Sequence, residues 1–476
     1  MSIRIQNTMT RRKEEFVPLS RGEVRMYVCG VTVYDLSHIG HARSSLVFDV
    51  IRRHLRHRGY AVKFVKNYTD VDDRIIRKAN EEGVSAREIS ERYIAADRVD
   101  MASLGVLQPD VQPKATEHVG RMIELIEALI RKGLAYPIDG DVYFEVRRFP
   151  AYGKLSGKNL EELLAGARVD VDERKRDPRD FALWKAAKPG EPSWPSPWGE
   201  GRPGWHIECS AMAIEHLGET LDIHGGGEDL IFPHHECEIA QTEGVTGKTF
   251  TRYWVHNGFV NMGSEKMSKS LGNTLTIREL VKRHDPEALR LYLLGTHYRH
   301  PLEWSDERVG ESARALSRLR ALKDEADRLA ARGTPAPGPD GGLFDQVAVH
   351  RARFEAAMDD DFNTPQALGV LFDLARLLHA AKDQVAQGTT GAGAFLVGVG
   401  ELVMLGQVLG LLEGAGRRTT AVDPQLKAKI ESLVYLRQEA RRQRDFGEAD
   451  RLRDELSRLG VILEDTRDGT SWKLQS

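Results

Sequence analysis

Two apolar runs flanking one amphipathic stretch constrain this chain more than any other feature. VRMYVCG (24–30) is apolar and closes on a glycine, the pattern of a strand buried on both faces. From Ser37 the apolar spacing turns helical, Ser37 reads as the N-cap, and Gly59 closes the element. AVKFVKNYTD (61–70) reads as a second strand. Strand, helix and strand within about 45 residues make a βαβ unit with a right-handed crossover. A strand–helix pattern resumes at 205–247. The expectation is α/β: a Rossmann-type, doubly wound parallel sheet whose strand ends and helix starts converge on one crevice.

The remainder is organised around that sheet. At 476 residues the chain is too long for one core. Residues 1–112 hold the first half of the sheet domain, with 71–108 reading as helical. Residues 113–200 mix a helix (HVGRMIELIEALIRKGL) with short strands and a Pro/Trp-dense loop, as an insertion does. The second half is 201–250, followed at 251–310 by a region bearing the loop NMGSEKMSKSLGNT. Helical periodicity fills 311–412 as a bundle, and the soft stretch EGAGRRTTAVDP precedes a small domain at 425–476.

Composition limits the partners. Lys and Arg number 68 against 71 Asp and Glu, a net charge of −3, so a nucleic acid must be met by local patches. Apolar runs too short for a membrane span, a start without a leader and three widely separated cysteines suit a soluble, reduced, cytoplasmic protein.

Two short motifs carry chemistry. In HIGH (38–41), His38 and His41 lie three apart in the first turn of a helix, where unpaired N–H groups and the dipole favour phosphate. Gly40 lets a flat ring approach the backbone. In KMSKS (266–270), Lys266 and Lys269 sit among small polar residues on a loop suited to closing over a polyphosphate. Taken alone, HIGH reads first as an ordinary helix start with surface histidines and KMSKS as a solvated basic loop. Together, in this order and about 230 residues apart beside a βαβ unit, they point to phosphoryl chemistry.

HIGH followed by KMSKS resembles the signature of class I aminoacyl-tRNA synthetases. MYVCGVTVYDLSHIGHAR, NYTDVDDRII, PGWHIECSAM, DIHGGGEDLIFPHHECEIAQ, MDDDFNTP and ADRLRDELSRLGVILEDTRDGTSWK resemble the cysteinyl-tRNA synthetase family over nearly the whole chain. The resemblance implies a ligase that activates L-cysteine with ATP, with Mg²⁺ accompanying the nucleotide, and transfers it to the terminal ribose of tRNA(Cys). It implies phosphate contacts from His38, Gly40, His41 and Lys269, and transition-state stabilisation by Lys266 and Lys269. It implies pocket roles for Thr69, Trp205 and His224. A monomer is expected, and 425–476 is expected to bind the anticodon. There Arg441, Phe446, Asp450, Arg453 and Asp465 stand at positions resembling base readers, within an arginine-rich stretch that reads equally as an exposed, ion-paired helix.

FPHHECEIAQ (232–241) packs two histidines, a cysteine and two glutamates into five positions. His234 and Glu238 are i and i+4, stacked if the segment is helical. Cys29 ends the first strand and Cys209 lies near the start of the second half's helix, so all four can meet in the crevice. Two thiolates, an imidazole and a carboxylate suit Zn²⁺, and the resemblance implies these four as ligands of one zinc per chain. A pocket excluding a methylene discriminates ~10–200-fold, one demanding a specific partner ~10⁴–10⁵. A zinc that accepts the substrate thiolate therefore removes the need for editing. Cys237, where the family has Asn, reads as a bystander, and Val31, where the family has Pro, removes no chemical group. His235 and Glu236 read as supporting residues.

Three alternatives remain. A cysteine:aminosugar–inositol ligase of the mycothiol type lacks the C-terminal tail; an inactive RNA-binding paralogue sits poorly with intact HIGH and KMSKS. A zinc hydrolase needs H-E-x-x-H or H-x-x-E-H, and neither is present.

Overall fold

Four parallel strands, in the order Thr251–Asn257, Leu221–Gly227, Glu23–Val28 and Ala61–Lys66, form the central sheet of the computed structural model. The model describes residues 2–157, 173–262, 265–266, 274–331, 338–387, 390–413 and, with short gaps, 433–474. Contacts divide the chain into units 1–413 and 414–476.

A hairpin of β1 (Arg4–Asn7) and β2 (Arg12–Glu15) leads into β3 (Glu23–Val28), helix α1 (Ile39–His57) and β4 (Ala61–Lys66), the crossover read from the sequence. The stretch 71–108 contains two helices, α2 (Asp73–Glu82) and α3 (Ala86–Ser103). Gly83, at φ +68°, ends the first, and the Ser85 hydroxyl caps the second. The insertion opens with α4 (Val119–Arg131). It continues as an antiparallel sheet of β5 (Ala135–Ile138), β6 (Asp141–Phe144), β7 (Phe181–Ala186) and β8 (Gly201–Pro203). The second half follows as α5 (Trp205–Leu217), β9 (Leu221–Gly227), α6 (Glu236–Thr246) and β10 (Thr251–Asn257). Strand order reverses between β3 and β9, so a crevice opens at their carboxyl ends.

Beyond the sheet run β11 (Val260–Met262), β12 (Glu265–Lys266), α7 (Ile277–Arg283), α8 (Pro286–Leu294) and β13 (Leu302–Glu303). Four longer helices follow: α9 (Asp306–Ala331), α10 (Leu343–Asp359), α11 (Thr364–Ala386) and α12 (Ala392–Val408). The second unit holds α13 (Phe446–Arg458) and a hairpin of β14 (Val461–Thr466) and β15 (Gly469–Leu474).

Helix α1 is buried on almost every side because sheet and bundle share it. Val47, Phe48, Ile51 and Leu55 belong to one apolar cluster with Val28 of the sheet and Leu402 and Leu405 of α12. Asp49, also fully buried, accepts from Arg53 at 2.8 Å and from Arg290 of α8. Arg290 in turn donates to the carbonyls of Leu409 and Gly105. One carboxylate thus ties the first crossover helix to the bundle.

Burial also sets an acid limit. It draws His297 down to about 4 despite the nearby Asp361 carboxylate, and holds His54 below its ordinary value despite Asp359. An unfolded histidine titrates near ~6.5, so below that pH the unfolded chain takes up protons that the folded chain refuses. Stability is complete above pH ~6.5 and declines as pH falls towards ~4. Urea midpoints measured across that window should fall, and fall less steeply in His297→Asn.

Candidate active site

The crevice at the strand-order reversal is a cleft of about 390 Å³, within the usual range for a small-molecule site. Its walls include Cys29, Gly30, His38, Gly40, His41, Trp205 and Asn257. Cys29 is the first residue beyond β3. The Gly30 N–H donates to Asn67 Oδ1 at 2.9 Å, and a Cβ on Gly30 would lie 1.5 Å from the Asn67 carbonyl oxygen. Only glycine fits there.

The HIGH turn differs from the sequence expectation at its first residue. His38, not Ser37, is the N-cap of α1. Ser37 donates instead to Asp97 at 2.6 Å. His38 Nδ1 accepts the Gly40 N–H at 3.1 Å, and His41 Nδ1 accepts the His38 N–H at 3.2 Å, a capping box made of two imidazoles. The rings stack with centroids 3.8 Å apart. A Cβ at residue 40 would press on the His38 ring at 3.0 Å, which accounts for Gly40.

The flanks of KMSKS meet this turn. Lys266 closes the β11–β12 hairpin opposite Asn261, while Lys269 lies outside the described residues. On the far flank, Ile39 N–H donates to Leu275 O and Ile277 N–H to Ser37 O, both at 3.0 Å. Arg43 of α1, 1% exposed, donates to the carbonyls of Gly258, Phe259 and His300. The helix that begins with HIGH therefore also holds the segment leading into KMSKS. Sequence reasoning missed Arg43, whose partners lie more than 200 residues away.

At the cleft floor, one donor atom from each of Cys29, Cys209, His234 and Glu238 lies within 4.8 Å of the others, all buried. Cys29 Sγ donates to Glu238 Oε1 at 3.2 Å, and His234 Nε2 stands 3.0 Å from the same oxygen. Burial pushes the Cys29 thiol up, while its hydrogen bond to Cys209 brings that thiol down to about 6. Burial disfavours charge on His234, but Glu238 and Cys209 outweigh it and hold the imidazole at about 10. Glu238 is pulled well below the carboxylate range by His224 and His234 against the cost of burial. Glu238 Oε2 is buried and accepts no hydrogen bond, though His224 Nε2 stands 3.4 Å away. Two sulfurs, an imidazole and a carboxylate converging on one point, with one carboxylate oxygen lacking a hydrogen bond, fit a Zn²⁺ ion.

His224 and His235 form an overlapping quartet with Cys29 and Glu238. Sharing two donors, the quartets can serve only one ion. The sulfur-richer set suits zinc better, and His234 has an orienting partner in His206, Nδ1 to Nδ1 at 2.9 Å. His235 then backs Cys29, with Nε2 3.3 Å from Sγ and Nδ1 2.8 Å from His256. That relay was not visible in the sequence, because His256 arrives from a separate strand. Cys237 faces away, 3.3 Å from the Tyr152 hydroxyl, and Glu236 accepts the N–H groups of Leu155 and Ser156.

The three expected pocket residues part company. Trp205 lines the cleft and packs against His234, with ring centroids 4.3 Å apart and planes tilted by 34°. His224 lies buried behind the quartet, 3.5 Å from Cys29 Sγ. The Thr69 hydroxyl donates to buried Glu208 at 2.9 Å. In the second unit, Arg441 and Asp450 are exposed, and Arg453 lies 3.3 Å from Asp450. Phe446 begins α13 and Asp465 lies in β14 opposite Thr470.

Three family models match in series. They are the class I (C) tRNA synthetase catalytic domain at 15–314, a DALR domain at 353–413, and the cysteinyl-tRNA ligase anticodon binding domain at 423–472. The cysteine–tRNA ligase of Geobacter sulfurreducens is 53% identical over 484 aligned positions spanning all of both chains. That of Alkalilimnicola ehrlichii is 54% identical over 476, covering 99% of each. The chain belongs to the cysteinyl-tRNA synthetase family. Its fold is that of class I synthetases: a methionyl-tRNA synthetase from Mycobacterium tuberculosis superposes with TM-score 0.62 at 15% identity, over 83% of this chain and 93% of that one. As a cysteinyl-tRNA synthetase family member it is a ligase of translation, and the matched anticodon domain removes the aminosugar alternative. No helix among the described residues is long and apolar enough to cross a membrane.

Proposed function

We propose that the chain joins L-cysteine to tRNA(Cys) at the cleft between HIGH and KMSKS, with Cys29, Cys209, His234 and Glu238 as its amino-acid selector. The observation that carries this is the buried thiol–imidazole–carboxylate quartet at the cleft floor. Bound there, zinc supplies a soft acceptor for a thiolate, which serine lacks.

The protein's own residues position and neutralise. In the first step a cysteine carboxylate oxygen attacks the ATP α-phosphorus and pyrophosphate leaves, giving cysteinyl-adenylate; the second moves the acyl group to the terminal ribose hydroxyl and releases AMP. His38 and His41, their Nδ1 atoms engaged by the turn, present their rings to the phosphates beside Gly40. Lys266 and Lys269 offset charge developing on the leaving group, with Mg²⁺ accompanying ATP. Trp205 covers the amino-acid end, His224 orients Cys29, and Thr69 holds Glu208 behind the pocket. Arg441, Phe446, Asp450, Arg453 and Asp465 read the anticodon. The enzyme acts as a cytoplasmic monomer.

Cysteine-dependent ATP–pyrophosphate exchange, followed by charging of tRNA or an aminosugar acceptor, tests the reading. Exchange supported equally by serine, or transfer to the sugar, would overturn it. Removing residues 414–476 should leave exchange near the parent rate and reduce tRNA charging by at least about 10²-fold, the loss of several base contacts at ~1–3 kcal/mol each.

A further inference from the structure

A second group of ligating side chains lies outside the cleft. His118 precedes α4, and Glu215 and His216 sit in the last turn of α5. His118 Nε2 faces His216 Nε2 at 3.0 Å, and Glu215 Oε1 stands 3.8 Å from His118 Nε2. All three donor atoms fall within 4.8 Å of one another. Zinc bonds of ~2.0–2.1 Å at tetrahedral angles separate neighbouring donors by roughly 3.3–3.4 Å. Shifts of a few tenths of an ångström would therefore seat an ion.

The protonation of the pair is set from outside. His118 Nδ1 lies 2.8 Å from the Lys114 carbonyl oxygen. A carbonyl only accepts, so Nδ1 carries the proton and Nε2 presents its lone pair to the shared point, the outer arrangement of a ligating histidine. The backbone of His216 is fixed too, its carbonyl accepting from Lys63 Nζ at 2.6 Å. Glu215 is exposed and opens the site to solvent.

We infer that His118, Glu215 and His216 form a second metal site, taking a zinc-class divalent transition-metal ion with water in the remaining position. It would pin the start of α4, in the insertion, to α5. That helix also carries Cys209, seven residues before His216 and ~10 Å away along the axis.

Zinc titration of the full-length protein, with bound metal counted after gel filtration, tests this. The parent should retain an equivalent of Zn²⁺ that both His118→Asn and His216→Asn lose, and Glu215→Gln, at an exposed position, should raise its Kd at least about tenfold. With Co²⁺ that equivalent should give only weak visible bands and no sulfur-to-metal absorption. An equivalent that survives both histidine substitutions, or a parent that retains none beyond what Cys209→Ser removes, would overturn the inference. Melting curves without added metal identify any variant that fails to fold, and Glu215→Gln then decides. A failure of the Cys29 quartet to bind zinc would leave the His118-dependent equivalent in place, so the two readings fail separately.

Discussion

Cys209→Ser will be isolated with about one equivalent of zinc fewer than the parent, as expected for a four-donor site robbed of a thiolate. The apparent KM for cysteine in pyrophosphate exchange will rise by roughly 10²-fold or more. The hydroxyl is nearly isosteric, so packing among the buried neighbours survives. What changes is the donor: the Cys209 thiol sits at about 6 and gives a thiolate near neutral pH, whereas a serine hydroxyl stays protonated. The ATP side of the cleft is built by α1 and does not touch residue 209, so the KM for ATP should move little. Unchanged zinc content together with unchanged exchange would remove the metal assignment. Loss of zinc with cysteine still preferred over serine would separate the metal from selection.

Asp49→Asn will cost about 3–5 kcal/mol of stability, the usual consequence of stripping a buried charge of its partner. Arg290 is 1% exposed and meets Asp49 as its carboxylate partner; Arg53, which also reaches Glu413, meets the same oxygen. Asparagine keeps the shape but leaves a buried guanidinium without its compensating charge. Urea denaturation would record the loss as a lower midpoint. The combination Asp49→Leu with Arg290→Met should recover only part of it, since the Leu409 and Gly105 carbonyls lose their donor and Arg53 its acceptor. A single-variant cost under about 1 kcal/mol would mean that the pair is solvated and the tie between α1 and the bundle is weak.

The sheet was legible because its strands appear as mostly apolar runs such as VRMYV and AVKFV, broken only by Arg25 and Lys63. The quartet was legible in part. His234 and Glu238 announce themselves by spacing, but Cys29 and Cys209 converge only because strand order reverses between β3 and β9. The cap of α1 was not legible. Serine is the usual N-cap, yet the Ser37 hydroxyl is drawn to Asp97, 60 residues on, and a histidine takes its place. Arg43 escaped because no local pattern encodes a contact more than 200 residues away, and His256 because its partner His235, 21 residues back, lies on a different element.

The tie at Asp49 has a consequence for how the chain comes to be folded. Contacts from α1 to Arg290, Gln407 and Glu413 span 241 to 360 positions. Such separations slow folding, because loop closure precedes any reward. On a ribosome, the crossover helix that follows the HIGH turn is made early but meets the last of these partners only after residue 413 has emerged. The catalytic half is therefore a poor candidate for excision, and a fragment ending near residue 310 should be recovered as an aggregation-prone, partly ordered chain rather than a smaller enzyme.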